Sequence, residues 1–391
     1  MRDDLRIGIV GLGQRSVLAD LVHRPGAGSG VTACADPDPT ARARAEGRFG
    51  SRTHICDSYL ALTDRGLDAV IVTTPDHTHE DIIVDFLEAG IAVFAEKPLA
   101  TSTEACDHIL DVARRTRTRL YVGHNMRHLP VVTTMRELIV QGAIGDVQAV
   151  WCRHFVGDGG DYYFHDWHAD RSKTTGLLLQ KGAHDIDVIH WLSGSVSRSV
   201  TALGGLMVYG GITDRAHRPG QSVQDWYDRE NNWPPRSLRG LNPVIDVEDL
   251  SMMLMRLENG TFASYQQCHF TPDYWRNYTV IGTEGRLENF GDEVGARVEV
   301  WSRRSGYRAT GDRSVAVVDT AGGHGGADVR IMSEFLGFVR DGGPTLTSPV
   351  AARDAVAAGC AATASLRAGG SPATVRPTPP EVAEWFADGQ A

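Results

Sequence analysis

"RIGIVGLGQRS" (residues 6–16) reads as an apolar strand running into a glycine-rich turn, and "SVLADLVHR" beyond it has helical spacing. Gly11-Leu12-Gly13-Gln14-Arg15-Ser16 carries the first two glycines of a G-x-G-x-x-G pattern, with Ser16 in the third place. Such a turn lets the backbone approach a pyrophosphate at a helix N-terminus, where unpaired N–H groups favour negative charge. The pattern alone is weak, and Asp36, closing the next apolar run, strengthens it. An acidic side chain about 20 residues on hydrogen-bonds the adenosine ribose hydroxyls of NAD and repels a 2′-phosphate. NAD is the expected cofactor, with Gly11, Gly13, Gln14, Arg15 and Asp36 as candidate contacts.

Outward from this turn the alternation continues through "GVTACADPDPTARARAE", "LDAVIVTTP", "HTHEDIIVDFLEAG", "IAVFAEKP", "STEACDHILDVARRTR" and "RLYVGHN". Strands this continuously apolar, each followed by a helix, imply a parallel sheet covered on both faces. Thr101 and Glu104 read as a capping box for one of the helices. From about residue 126 the pattern becomes strands joined by glycine turns, including the hairpin signal "ENGT" (258–261). "TTGLLLQKGAHDIDVIHWLSG" has the spacing of one helix ending at Gly194, two helices follow late in the chain, and the last stretch reads as a surface tail. A chain of 391 residues exceeds one ordinary core. The expected fold is an α/β Rossmann domain over 1–125 and an α+β domain over 126–391 with a large, mostly antiparallel sheet.

The net charge of −10 argues against binding nucleic acid or an anionic membrane. No apolar run approaches membrane-spanning length, and six scattered cysteines without a CxxC pair suit free thiols, so the chain is expected to be cytoplasmic. In a doubly wound sheet ligands lie outside the carboxyl ends of the strands. Two such ends carry unusual polar residues, "VTTPDHTHE" (72–80) and "AEKPLA" (95–100). Thr74, Pro75, His79 and Glu96 are candidate cofactor contacts, although Thr74, His77 and His79 equally suit a capped helix start. A lysine at this crevice, Lys97, would sit beside a nicotinamide.

The strand and GxG turn, the TP…H turn, EKP and "GAHDIDVIHW" (182–191), in that order, resemble the Gfo/Idh/MocA family of sugar and cyclitol oxidoreductases, over nearly the whole chain. The resemblance implies that Lys97 touches both substrate hydroxyl and nicotinamide region, and that His184 is the general acid/base. The family's usual aspartate four residues before that histidine is here Gln180, followed by Lys181, so Asp187, Lys181 or substrate would have to tune His184. Further candidate substrate contacts are Asn125 and Arg127 in "GHNMRHLP" and Asp166, Trp167, His168 and Arg171 in "DYYFHDWHADRSKT", where aromatic faces among polar donors suit sugars. His324, in "TAGGHGGADVR", would reach the site if its loop folded over it. The dense His165, Asp166, His168 and Asp170 match no strong zinc spacing, and no metal is expected. The long polar stretch 212–249 is a candidate lid, oligomer arm or insertion.

These residues imply an NAD-dependent oxidoreductase taking a hydride from a secondary hydroxyl of a sugar, cyclitol or glycoside. The alternative is an NAD-dependent glycoside hydrolase working by transient oxidation, elimination and hydration. A non-catalytic sensor fits less well, because Lys97 and His184 are both intact. A homodimer or homotetramer is implied by the resemblance.

Overall fold

The computed structural model describes residues 4–157, 160–218, 221, 226–228, 230–293, 295–318 and 325–390. Six strands, β1 (Leu5–Val10), β2 (Ser29–Ala35), β3 (His54–Cys56), β4 (Ala69–Val72), β5 (Ala92–Ala95) and β6 (Leu120–Val122), form a wholly parallel sheet in the order β3-β2-β1-β4-β5-β6. The order reverses between β1 and β4, which opens a crevice at their carboxyl ends. Val70 and Val72 point into one helical layer, with His79–Glu88 and Thr103–Thr116, while Ala69 and Ile71 point into the other, with Leu18–Val22. That period of two explains why every residue of β4 is buried. The late helix Ala327–Asp341 joins the second layer, packing Ile331, Phe335 and Phe338 on the sheet.

Nine further strands, β7 (Val147–Val156), β8 (Ser197–Gly205), β9 (Leu250–Leu257), β10 (Phe262–Cys268), β11 (Tyr274–Gly282), β12 (Arg286–Phe290), β13 (Arg297–Trp301), β14 (Arg313–Ala316) and β15 (Ala373–Thr374), follow the order β14-β13-β12-β11-β7-β10-β9-β8-β15. All neighbours are antiparallel except β7 and β10. Helices Pro130–Val140, Gly182–Ser193 and Pro349–Arg367 cover one face. The other face leaves Trp151, Leu203, Met252, Leu254 and Phe262 exposed. Among the described residues no helix is long and apolar enough to cross a membrane.

Three local readings need correction. Ser102, not Thr101, caps the helix Thr103–Thr116, its side chain accepting from the Ala105 N–H, because Ser102 holds the extended backbone a cap requires. The stretch read as one helix forms two, Leu177–Gln180 and Gly182–Ser193, broken at Lys181, and the Gln180 carbonyl at the break accepts from Lys97 Nζ. The second of these ends at left-handed Gly194 as the sequence implies. The final stretch is no loose tail: helix Pro380–Ala387 buries Val382 and Phe386, and the Gln390 amide pairs both ways with the Leu120 backbone on edge strand β6.

Candidate active site

At the crevice Gly11 adopts φ +87, and a Cβ there would lie 2.8 Å from the Thr73 carbonyl, so only glycine lets the turn close on the end of β4. A Cβ on Gly13 would meet nothing within 4 Å; it faces open space outside the strands, the room a pyrophosphate needs. The Asp36 carboxylate accepts the Leu12 N–H at 2.7 Å and the Asp38 N–H at 2.8 Å. Two such bonds leave acceptor capacity for ribose hydroxyls. Ser16 is buried and fastened by Arg48 through its hydroxyl and carbonyl, so the third position of the motif serves packing.

Several expected cofactor contacts turn out to hold the framework. Arg15 donates to Glu96 at 2.7 Å and to both oxygens of Asp328, and Glu96 also accepts the Lys97 N–H. These ion pairs tie the Arg15 guanidinium and the Glu96 carboxylate to the framework. His79 is fully buried with its ring nitrogens against the carbonyls of Pro98 and Thr74, which ties the two polar strand ends together. The Thr74 hydroxyl accepts from Thr78, and Pro75 precedes the short turn Asp76–Thr78. Gln14 accepts from the Tyr162 hydroxyl at 2.9 Å, a bond between the glycine turn and the segment after β7.

Lys97, followed by a cis Lys97–Pro98 peptide, extends from the end of β5 to the Gln180 carbonyl, 3.3 Å from its Nζ. This contact brings the EKP turn onto the helix break that precedes His184. Lys97, Lys181 and His184 are each half-buried. Burial lowers the proton affinity of Lys97, with Tyr163 and Asp76 opposing and Lys181 adding to the effect. Burial, then Lys97 and Lys181, holds His184 well below the ordinary histidine range, and its Nδ1 has no hydrogen-bond partner. His184 is therefore a neutral imidazole beside a cation, suited to accept a proton. Burial brings Lys181 down to about 8, and its ammonium lies 5.4 Å from the centre of the Tyr163 ring. His168, stacked on Trp167 at 3.9 Å and edge-on to Tyr163 at 5.1 Å, is pushed down to about 3 by burial and the two lysines.

Other expected substrate contacts are engaged with protein groups. Arg127 and Asp187 form a buried bidentate pair at 2.7 and 2.8 Å, with Arg127 Nη1 on the Leu346 carbonyl. Their charges are used on each other, and His124 Nδ1 rather than His184 faces the Asp187 carboxylate, at 3.2 Å. Asn125 donates to Asp328 at 3.0 Å. Asp166 caps its own short turn through the Trp167 N–H, and exposed Arg171 is bound to Asp246 by side chain and backbone. His324 lies outside the described residues. The sequence reading missed Asp76 and Tyr163. Asp76 was hidden in a turn that also reads as a helix start, while Tyr163 stands in the quoted aromatic stretch. The described part of 212–249 packs beside that stretch: Ile212, Leu238 and Leu241 cluster with Phe164, and the Tyr227 hydroxyl donates to Asp161.

Residues 5–124 match the model of an oxidoreductase family with an NAD-binding Rossmann fold, and residues 132–288 match the GFO/IDH/MocA C-terminal domain. The putative oxidoreductase YteT of Bacillus subtilis (strain 168) is 24% identical over 351 residues, which span 78% of this chain and 82% of that one. Inositol 2-dehydrogenase of Rhizobium meliloti (strain 1021) is 30% identical over 221 residues, spanning 56% of this chain and 64% of that one. A solved structure of levoglucosan dehydrogenase with NADH and levoglucosan superposes with a TM-score of 0.77 at 21% identity, covering 95% of this chain and 100% of that one. At that identity the superposition shows the shared fold. The chain belongs to the GFO/IDH/MocA family and is an NAD-binding oxidoreductase.

Proposed function

We propose that this member of the family oxidises a secondary hydroxyl of a sugar, cyclitol or glycoside, with Lys97 and His184 at the reacting oxygen. The observation that carries the reading is the 3.3 Å contact of Lys97 Nζ with the Gln180 carbonyl, which joins the end of β5 to the helix of His184. Neutral His184 takes the hydroxyl proton while Lys97 donates a hydrogen bond to the same oxygen and stabilises its developing negative charge. Bound NAD supplies the hydride acceptor, and the turn of Gly11 and Gly13 with Asp36 would hold its pyrophosphate and ribose. Trp167, half-buried on His168, offers an aromatic face to a sugar ring. The names of the relatives, an inositol and a levoglucosan dehydrogenase, support this substrate class.

The test is incubation with NAD and a panel of free sugars, cyclitols, levoglucosan and aryl glycosides in deuterated buffer, following NADH and released sugar together. NADH formed in proportion to substrate without glycosidic cleavage is the expected result. Deuterium-bearing sugar released without net NADH would instead establish the redox-neutral hydrolase. The exposed apolar band on the second sheet supports assembly into a homodimer or homotetramer, which light scattering checks. All six cysteines are free thiols, as suits a cytoplasmic protein.

A further inference from the structure

Asp76 is buried to 4% exposure at the reacting end, and its Oδ2 has no hydrogen-bond partner. An unpartnered carboxyl oxygen is costly to bury, so its placement asks for an account. Its neighbours come from two other segments: Lys97 and the Gln180 side chain both act on its charge, and the His79 ring fastens its turn to the Pro98 carbonyl beside Lys97 at 2.9 Å. Gln180 is also buried, with Oε1 unpartnered, so its amide can donate to Asp76 but cannot carry a charge. Lys97 in turn finds a backbone carbonyl at 3.3 Å, which offers no counter-charge.

We propose that Asp76 is a positioning residue that supplies the counter-charge for Lys97, the part an acidic side chain at position 180 would take and Gln180 cannot. The proposal rests on the role given to Lys97 above. Ammonium with carboxylate and amine with carboxylic acid carry the same net charge, so the pair retains one proton where an isolated buried lysine would lose it. Burial, opposed by Lys97, brings the Asp76 carboxyl up to about 8 while burial lowers Lys97, so the two shifts run toward each other. The groups facing Asp76 are Lys97, Glu96, Gln180 and Tyr163. Those facing Lys97 include Tyr163, Lys181 and Glu96, together with His168 and His184. Of the two carboxyls, Glu96 is already engaged by Arg15, which it shares with Asp328, whereas Asp76 has no arginine beside it in any ion pair of the described residues.

The sequence makes a direct test practical, because it contains three lysines, Lys97, Lys173 and Lys181. Lysine labelled with ¹³C at Cε in the NAD-loaded full chain gives three signals, assigned by single Lys→Arg variants, and Lys97 can be titrated without a known substrate. Asp76→Asn is expected to lower the Lys97 midpoint by about one unit or more. It should move the alkaline limb of kcat down equally on whichever panel substrate turns over. Asp76→Asn/Gln180→Asp is expected to restore both. Thermal midpoint and NAD affinity are measured on the same preparations, and Asp76→Ser is carried in parallel should the Asn variant not fold. An unchanged Lys97 midpoint in a folded Asp76 variant, or no recovery on adding Gln180→Asp, overturns the proposal. Lys97→Ala keeping full turnover would overturn the role of Lys97 instead, and the titration would still report on Asp76.

Discussion

The helix Gly182–Ser193 and the break before it separate two kinds of buried charge. On its inner side Asp185 accepts from the Tyr278 hydroxyl at 2.5 Å, pairs with Arg276 at 3.1 Å and faces His154 at 3.0 Å. Asp187, two residues on, is clasped by Arg127. On the crevice side Asp76, Gln180 and His184 each keep a buried polar atom without a partner. Only in the first group is each carboxylate held by an ion-paired arginine. Buried charge that has found its partner is costly to strand, whereas buried polar groups left short of partners in a crevice are candidates to meet a ligand.

The sharpest way to break this contrast is to exchange the two outcomes. Lys97→Ala is expected to lower kcat on the order of a hundredfold or more, since it removes a donor aimed at the charge developing on oxygen. NAD affinity should change little, and the unfolding midpoint should fall less than for loss of a buried ion pair, because Lys97 gives up one long hydrogen bond and Asp76, raised by burial, can take up a proton. Steady-state kinetics with a cofactor-binding titration check both, and equal losses in kcat and NAD affinity would end the assignment. Asp187→Ala is expected to do the reverse. It strands buried Arg127, a loss of about 3–5 kcal/mol in denaturant unfolding.

Acid sharpens the comparison further. Burial alone would raise Asp185 and Asp187, but Arg276 and His154 for the first, and Arg127 and His124 for the second, hold both well below the ordinary range. Carboxylates lowered on folding contribute stability that is present above their unfolded value near 4 and lost as pH falls through the folded one. Stability should therefore fall below about pH 4, and Asp187→Asn, destabilised at neutral pH, should show a shallower acid decline in chemical denaturation. His184 behaves oppositely. Its lowered proton affinity keeps it a neutral base as pH drops, so the acid limb of kcat/KM should lie below the ordinary histidine value of about 6.5. A limb at or above that value would mean that His184 is not the base.

How much of this was legible follows from the reach of each interaction. The glycine turn, Asp36 and the strand-end lysine can be read because each depends on a local pattern: strand, turn, helix. The Arg127–Asp187 pair cannot, because an arginine after a strand looks the same whether it faces a substrate or a carboxylate brought in by another helix. The last residues misled for a similar reason, since nothing near Gln390 in sequence tells of the edge strand it covers. Asp76 sat in a stretch whose polar residues suit a helix start, and burial gave it another character.

Arg171 provides the smallest expected effect and a useful control. The sequence places it among aromatic and histidine residues, where a sugar contact is reasonable. In the fold its side chain is half exposed and bound to Asp246 through one ion pair and one backbone carbonyl. An exposed pair of this kind contributes about 0–1 kcal/mol. Arg171→Ala should accordingly leave kcat and KM within about twofold and shift stability by no more than that amount. Since Trp167 and His168 lie four and three residues before it, the variant also asks whether proximity in sequence to the site is enough for a role. A rise in KM of tenfold or more would mean that the pair with Asp246 opens when substrate binds, and that the crevice wall extends past His168 to the surface.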